Sequence, residues 1–415
     1  MKETAIQWID FQQTINQRLN KEQLDDEQSK AKNFSVNGHS LVRGVAGSGK
    51  SLVLRNRVEK IIEEKLNPVL VLSYNRFMRE WIQSTLGKKN LQAECSTFHS
   101  WAYRRIKYDY KYDEDDALRK QVIDLARGSK VKYQAILVDE AQDFYDEWFQ
   151  SLLEIVDSQT NSLFFVYDNT QSVYGQAHRR KSGWSWAKLG INVTGRAQIF
   201  DLNYRNSPEI LELAWKFIQP ALDNAGMGFD KRENGPTIDK IIEPKKKLSR
   251  SSGVDPMLVQ VNSSEMPLEI AKQVKMALES HPDSSIGILA HPSHSQSKNL
   301  RLAISRELDQ LGIKNHAPTS SRDRIGNVVD RPYIIIDSWN SLKGVEFDAV
   351  IIAGVDLAIE QNDTDLDFEE KAGLYVAMTR AKDHLIMLYE NKTSMVEIIE
   401  NALSAPAQLR SDEDV

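Results

Sequence analysis

The chain has 415 residues, of which 41% are hydrophobic and 27% are charged, with a formal net charge of -6 at pH 7. This composition is that of a soluble globular protein with two or three domains, and no apolar run approaches the length of a membrane span. The acidic balance means that any nucleic acid must bind in a local groove and not on a generally basic surface. A single cysteine, Cys95, excludes an internal disulfide and favours a cytoplasmic location.

The first motif in chain order is SLVRGVAGSGKS, residues 40–51. The spacing Gly44-x-x-x-x-Gly49-Lys50-Ser51 is typical of a P-loop, whose small residues let backbone N–H groups surround phosphates. Lys50 is expected to contact the β and γ phosphates, and Ser51 to bind Mg²⁺. The predicted phosphate-binding residues are Gly44, Ala46, Gly47, Ser48, Gly49, Lys50 and Ser51. The motif therefore predicts a site for a nucleoside triphosphate, which the rest of the sequence identifies below as ATP.

A second motif, AILVDEAQDF, covers residues 135–144 and is an apolar strand that ends in two carboxylates. Side chains alternate along a strand, so Asp139 and Glu140 can face different tasks. One of the two is expected to face the Mg²⁺ shell and the other an attacking water. The alternative is a solvated acidic turn, but the P-loop upstream favours the hydrolytic interpretation.

Short runs of β-branched and apolar residues alternate with helical stretches in two series. The first series covers 69–73, 136–138, 163–166 and 198–202, and the second covers 257–261, 286–290, 333–336, 350–353 and 385–388. This alternation predicts an α/β fold with two domains, each a mostly parallel sheet flanked by helices. Residues 226–256 are expected to form an irregular surface connection whose lysine run, 245–247, is a solvated loop.

Seven further segments follow the order found in superfamily 1 helicases, and the chain resembles that family, typified by UvrD, Rep and PcrA. They are LDDEQ at 24–28, VLSYNR at 71–76, STFHSW at 96–101, VYDNTQSVYG at 166–175, LNYRNSPEI at 202–210, SLKGVEFDAVII at 341–352 and LYVAMTRAKDHL at 374–385. The resemblance implies two RecA-like P-loop NTPase domains that use ATP and Mg²⁺. We expect these domains at residues 1–197 and 198–400, followed by an acidic tail at 401–415.

The chain resembles a compact form of that family. Only about 33 residues, 102–134, separate STFHSW from AILVDEAQDF, and we treat them as a small insertion. About 135 residues separate LNYR from SLKGVEF. The large accessory insertions of UvrD-type enzymes do not fit in either interval, so strand unwinding is less firmly implied than movement along a strand.

The resemblance assigns roles around the nucleotide. Gln28 would contact the adenine edge, Tyr204 would stack on its face and Glu346 would contact the ribose. Asp139 would hold Mg²⁺ with Ser51, and Glu140 would orient the attacking water. Gln171 would contact the γ phosphate. The predicted catalytic residues are Lys50, Asp139, Glu140, Gln171, Arg205 and Arg380, of which the two arginines would neutralise charge that develops on the γ phosphate.

The resemblance also implies contacts with a nucleic acid strand. The predicted strand-contacting residues are Asn75, Arg76, Thr97, Phe98, His99, Ser338 and Asn340. The alternative for Phe98 is a core residue, and for His99 a hydrogen-bonded structural histidine. Gln176 stands where the family often has a base-stacking aromatic, and Trp184 or Trp186 is a candidate replacement.

Together these motifs predict an ATP-driven translocase or helicase on single-stranded nucleic acid. The resemblance implies DNA and 3′ to 5′ polarity, with hydrolysis at the interface of the two domains. The alternative is a nucleotide-gated regulatory ATPase that controls a protein partner, such as a nuclease, in a bacterial defence or repair complex. Neither function involves a membrane.

Overall fold

The computed structural model of the chain describes residues 24–73, 79, 82, 83, 86, 92–171, 186–224, 241–292, 295–318, 334–360 and 364–413. The chain forms two compact units, with the change from the first to the second between Asp201 and Leu202. None of the helices in these ranges combines the length and apolar character needed to cross a membrane.

The first unit contains a six-stranded parallel sheet in the order β3-β2-β4-β5-β1-β6. Its strands are β1 His39–Gly44, β2 Val69–Ser73, β3 Glu94–Thr97, β4 Ala135–Val138, β5 Ser162–Tyr167 and β6 Ala197–Phe200. Every residue of β1, β2, β4 and β5 is buried, as expected for inner strands of a sheet covered on both faces. The carboxyl ends of these strands therefore meet at one edge, where the P-loop begins.

Six helices accompany this sheet in the part of the first unit that the structure describes. They are α1 Asp26–Lys32, α2 Lys50–Glu63, α3 Phe98–Ile106, α4 Asp116–Arg119, α5 Gln121–Arg127 and α6 Asp146–Ile155. Alternate residues of β5 enter different cores, because a strand directs successive side chains to opposite faces. Leu163 and Phe165 join the aromatic core with Trp148, whereas Phe164 joins the aliphatic core beneath α2.

The second unit contains a five-stranded parallel sheet in the order β11-β10-β12-β13-β9. Its strands are β9 Met257–Gln260, β10 Ile286–Ala290, β11 Ile334–Ser338, β12 Phe347–Ala353 and β13 Ala381–Tyr389, and its helices are α7 Pro208–Asn224, α8 Met266–Ser280, α9 Ser295–Gln310, α10 Thr364–Met378 and α11 Ser394–Ser404. Aliphatic residues of α8, α9 and the sheet form its core. The predicted fold class, α/β with mostly parallel sheets flanked by helices, is confirmed.

Three local features differ from the sequence predictions. The predicted strand 198–202 divides, because β6 pairs with β1 in the first sheet while β7, Leu202–Asn203, belongs to the second unit. The lysine run is not a solvated loop, since β8, Lys245–Lys246, pairs with β7. The predicted tail begins inside α11, and its residue Ser411 forms a β-bridge with Lys246.

Close packing in the second sheet gives a test of this fold. Replacing Gly287 of β10 by alanine would place its Cβ 2.5 Å from Phe347 Cδ2. Overpacking of this kind costs about 1–3 kcal/mol, so we expect Gly287→Ala to lower the melting temperature by roughly 2–12 °C. The matched control is Gly128→Ala, whose Cβ would lie 3.4 Å from its nearest neighbour. An unchanged melting temperature for Gly287→Ala, measured by circular dichroism, would contradict the packing described.

Candidate nucleotide site

The P-loop connects the end of β1 to the start of α2. Gly47 and Gly49 have φ angles of 67° and 86°, in the left-handed region that side chains rarely adopt. A Cβ at Gly49 would also lie 2.5 Å from Gln28 Nε2. Both glycines are therefore required by the loop conformation, which leaves its N–H groups at the N-terminus of a 14-residue helix. That is a favourable position for phosphate oxygens.

Lys50 is buried inside the loop that precedes it. Its ammonium donates hydrogen bonds to the carbonyl oxygens of Gly44, at 2.9 Å, and Val45, at 2.7 Å. The same nitrogen lies 3.8 Å from Asp168 Oδ2. The first unit thus holds a cation beside the loop through carbonyl groups and one carboxylate.

Ser51 and Asp139 lie together, as expected for two Mg²⁺ ligands. Ser51 Oγ donates to Asp139 Oδ1 at 3.3 Å. The pKa of the Asp139 carboxyl is raised to about 7, chiefly by burial and then by the charge of Glu140, while the hydrogen bond from Ser51 lowers it. Asp139 Oδ2 is buried and has no hydrogen-bond partner among the described residues.

These residues fit Mg²⁺, because a bound cation would satisfy the unpaired oxygen and offset the cost of the buried charge. The described residues contain no cluster of three His, Cys, Asp or Glu side chains arranged for a metal. Mg²⁺ is commonly held by one or two carboxylates together with substrate phosphates, which agrees with a site of Ser51 and Asp139.

Glu140 has a left-handed backbone conformation, with φ 52°, at the end of β4. Its N–H donates to Asp139 Oδ1 at 3.0 Å, and its Oε2 accepts from Gln142 Nε2 at 2.5 Å. Such conformations are costly for residues other than glycine and cluster at functional sites. The two consecutive carboxylates thus have different hydrogen-bond partners, Ser51 for Asp139 and Gln142 for Glu140.

Gln171 is joined to Lys50 through Asp168, the residue that follows β5. Gln171 Nε2 donates to Asp168 Oδ2 at 2.6 Å, and this is the oxygen that lies 3.8 Å from the Lys50 ammonium. The Asp168 N–H in turn donates to Gln142 Oε1 at 3.1 Å. The structure thereby brings Lys50, Ser51, Asp139, Glu140 and Gln171 together in one network.

Gln28 lies on the other side of the P-loop. Its Nε2 donates to the Ser48 carbonyl at 3.0 Å, and its Oε1 accepts from the Asp25 N–H at 3.1 Å. Asp25 Oδ1 accepts from the Gln28 N–H, which completes a capping box at the start of α1. Gln28 therefore fixes a helix terminus against the P-loop, and its role at the adenine edge stays a prediction.

The second unit brings Arg205, Glu346 and Arg380 close to one segment of chain. Arg205 Nε donates to Glu346 Oε2 at 2.5 Å, and its Nη1 donates to the Thr379 carbonyl at 3.5 Å. Arg380 is 1% exposed, and its Nε donates to the Val376 carbonyl at 3.0 Å. The predicted arginines are thus held at fixed positions by neighbouring oxygens.

Two buried asparagines align this part of the second unit. Asn206 Nδ2 donates to the carbonyls of Thr379, at 3.1 Å, and Ala381, at 2.5 Å. Asn206 Oδ1 accepts from Asn203 Nδ2 at 2.7 Å. The loop that carries Arg205 is therefore bonded directly to the backbone on both sides of Arg380.

The predicted strand-contacting residues differ in how exposed their side chains are. Phe98 is 2% exposed and is stacked on Trp148 at 4.2 Å between ring centroids, which is the core position given above as the alternative to a strand contact. Trp186 is 2% exposed as well and belongs to the same core. Neither ring has a face available for a base.

His99 keeps a 41% exposed side chain, although its Nε2 lies 2.7 Å from Asp113 Oδ2. Thr97 is the N-cap of α3, where its side chain accepts from the Ser100 N–H. In the second unit Ser338 is buried and its Oγ lies 2.8 Å from Ser341 Oγ, while Asn340 is partly exposed. Two further predicted residues, Asn75 and Arg76, lie outside the described residues, as do Gln176 and Trp184.

Two family models match the chain. Residues 28–177 match an AAA domain, and residues 319–392 match the UvrD-like helicase C-terminal domain. The first match begins at Gln28 and contains the whole network around Lys50. The second contains Glu346 and Arg380. The chain belongs to the UvrD-like superfamily 1 helicases.

One curated relative of this UvrD-like protein is a subunit of the ATP-dependent helicase/nuclease of Clostridium beijerinckii. The two are 30% identical over 308 residues, which is 67% of this chain and 23% of the relative. The chain therefore spans about a quarter of the length of that protein. Among solved structures, the C-terminal domain of a possible DNA helicase from Lactobacillus plantarum WCFS1 has a TM-score of 0.31 and 16% identity, and the match covers 48% of this chain and 96% of that one.

Four residues of the UvrD-like site have no role in the sequence predictions: Gln142, Asp168, Asn203 and Asn206. Asp168 follows β5, and β5 is hydrogen-bonded to β1, the strand that leads into the P-loop. Carboxyl ends of neighbouring parallel strands meet at the same edge of a sheet. The place of Asp168 directly after a predicted strand could therefore have indicated that it lies near the P-loop. The asparagines gave no such signal, because the backbone carbonyls bonded to Asn206 are more than 170 residues away.

Asn206 gives a test of the arrangement in the second unit. Asn206→Ala would leave buried carbonyls without donors, which typically costs about 1–3 kcal/mol. We expect a lower melting temperature and a fall in ATP turnover, because Arg205 and Arg380 lose their common support. Asn401→Ala, on an exposed position of α11, is the control for which both should be unchanged. Full turnover by Asn206→Ala would show that this bond does not position the arginines.

Proposed function

We propose that the protein is an ATP-driven motor that moves along single-stranded nucleic acid, with DNA as the favoured strand. The observation that carries this proposal is the buried network of Lys50, Asp168 and Gln171 beside the carboxylates Asp139 and Glu140. DNA and 3′ to 5′ polarity rest on the family resemblance.

The two units hold complementary halves of the chemistry of phosphoryl transfer. Transfer of a phosphoryl group requires positioning and charge stabilisation more than covalent chemistry. In the first unit, Lys50 is a phosphate-binding cation, and Glu140 is a carboxylate suited to orient water. In the second unit, Arg205 and Arg380 supply the remaining positive charge. We propose that hydrolysis requires both sets of residues to act on the same nucleotide.

Nucleotide binding would exchange hydrogen bonds that the protein now makes internally. Lys50 would leave the carbonyls of Gly44 and Val45 for phosphate oxygens, which are stronger acceptors because they are charged. Mg²⁺ held by Ser51 and Asp139 would supply charge neutralisation between phosphates. Arg205 would similarly leave Glu346 for the γ phosphate, and this would release Glu346 for the ribose hydroxyls.

The first test is ATP turnover with and without single-stranded DNA. We expect the strand to raise the turnover of the natural protein, and Lys50→Ala to reduce it about 100-fold or more, the magnitude typical of losing one charge-stabilising donor. Lys60→Ala, on the same helix but paired at the surface with Glu64, is the matched control. Turnover indifferent both to the strand and to Lys50→Ala would exclude the motor.

His99 tests the proposed strand contact in the first unit. Its partly exposed side chain can reach a ligand, whereas Phe98 cannot. We expect His99→Ala to weaken the stimulation of turnover by single-stranded DNA and to leave strand-free turnover unchanged. His281→Ala, on an exposed position of the second unit, is the control. Equal stimulation of the His99 variant and the natural protein would remove His99 from the strand contacts.

A second candidate is a nucleotide-gated regulatory protein that controls a partner such as a nuclease. The observation in its favour is that the Clostridium relative is named as one subunit of a helicase/nuclease. Two results together would favour this function. They are ATP turnover without displacement of an obstacle bound to single-stranded DNA, and a stable partner that co-purifies with the protein. Directional displacement by the purified chain alone would favour the motor.

A further inference from the structure

The ring of Tyr204 has a cationic neighbour in the second unit. The ammonium of Lys247 lies 4.8 Å from the centroid of the Tyr204 ring, within the range of a cation–π interaction. Lys247 belongs to the lysine run that the sequence placed in a solvated loop. The contact joins that run to the residue expected to stack on the adenine.

The backbone places these two side chains together without help from the lysine side chain. In the short parallel pair of β7 and β8, Leu202 pairs with Lys245 and Asn203 with Lys246. Tyr204 directly follows β7, and Lys247 directly follows β8. Lys246 also donates through Nζ to Glu212 Oε2 at 2.9 Å, which holds β8 against α7.

Four further hydrogen bonds hold β8 and the segment that follows it. Arg250 Nη2 donates to the Arg205 carbonyl at 2.8 Å and to Asp383 Oδ1 at 2.9 Å. On the other side, the Lys246 N–H donates to the Arg410 carbonyl at 2.8 Å, and the Asp412 N–H donates to the Lys246 carbonyl at 2.8 Å. The position of Lys247 is therefore fixed by main-chain pairing and by residues other than itself.

We propose that Lys247 is a positioning residue for nucleotide binding, one that orients the ring of Tyr204 towards the base. This inference rests on the proposed function and on the family resemblance, which gives Tyr204 as the base-stacking residue. A cation attracted to the face of an aromatic ring fixes the orientation of the ring. Lys247 acts through Tyr204 and contributes to recognition of the base, not of the phosphates.

The test compares two ligands that differ in the base. Equilibrium binding of ATP and of inorganic tripolyphosphate is measured, both with Mg²⁺, by isothermal titration calorimetry. We expect Lys247→Ala to weaken ATP binding about three- to ten-fold, the range expected for one partly exposed cation–π contact. Binding of tripolyphosphate should be unchanged, because it has no base. Lys247→Arg should retain the affinity for ATP, since a guanidinium also stacks on an aromatic ring.

Two controls separate this role from a general loss of charge or of folding. Lys275→Ala removes one positive charge from α8, where Lys275 is paired at the surface with Glu279, and should bind both ligands normally. In a Tyr204→Ala background, adding Lys247→Ala should cause no further loss of ATP affinity, because the lysine acts through the ring. Melting temperatures of all variants verify that they are folded.

The contrary outcomes are distinct. Equal loss of ATP and tripolyphosphate binding in Lys247→Ala would show a phosphate or folding role and overturn the inference. So would tighter ATP binding, which would mean that the lysine occupies the face used by the base. Normal ATP binding by Lys247→Ala would overturn the inference and leave the proposed function intact. Failure of the natural protein to bind ATP would overturn both.

Discussion

The buried ammonium of Lys50 is the interaction on which the first unit's site depends. A buried cation must be compensated, and here the loop carbonyls and Asp168 compensate it. Asp168 in turn accepts a hydrogen bond from Gln171, and its own N–H donates to Gln142. Because every one of these residues follows a strand of the same parallel sheet, the sheet itself determines the spacing between charges.

The strand pattern and the motif spacings were sufficient to predict a mostly parallel sheet and the position of the P-loop after its first strand. Inner strands such as β5 are apolar through most of their length, which marks them in the sequence, and the P-loop requires glycines at fixed positions. The environment of each side chain was less predictable. Phe98 occurs in a motif that suggests strand contact, yet its ring lies on Trp148, a residue 50 positions away whose proximity no local pattern encodes.

The second unit also shows that the partners of a side chain are harder to predict from the sequence than its motif. Its two arginines could be located by their motifs, but the groups that hold them include a carboxylate and a carbonyl from distant segments. The lysine run 245–247 looked like a solvated loop because three lysines in succession are usually solvated. Pairing with β7 on one side and with residues 410–412 on the other provides main-chain partners that composition alone does not predict.

Each unit holds the cations of the proposed mechanism against oxygen atoms of the protein. Lys50 is bonded to loop carbonyls, Arg205 to Glu346, and Arg380 to a helix carbonyl. Such contacts keep the cations ordered and lower the entropy that would be lost when a ligand is bound. They also set a threshold, because a ligand would have to replace them with stronger acceptors. Neutral carbonyls are weak competitors for a triphosphate, whereas Glu346 is a charged one, so in the proposed mechanism release of Arg205 would be the exchange most sensitive to whether a γ phosphate is present.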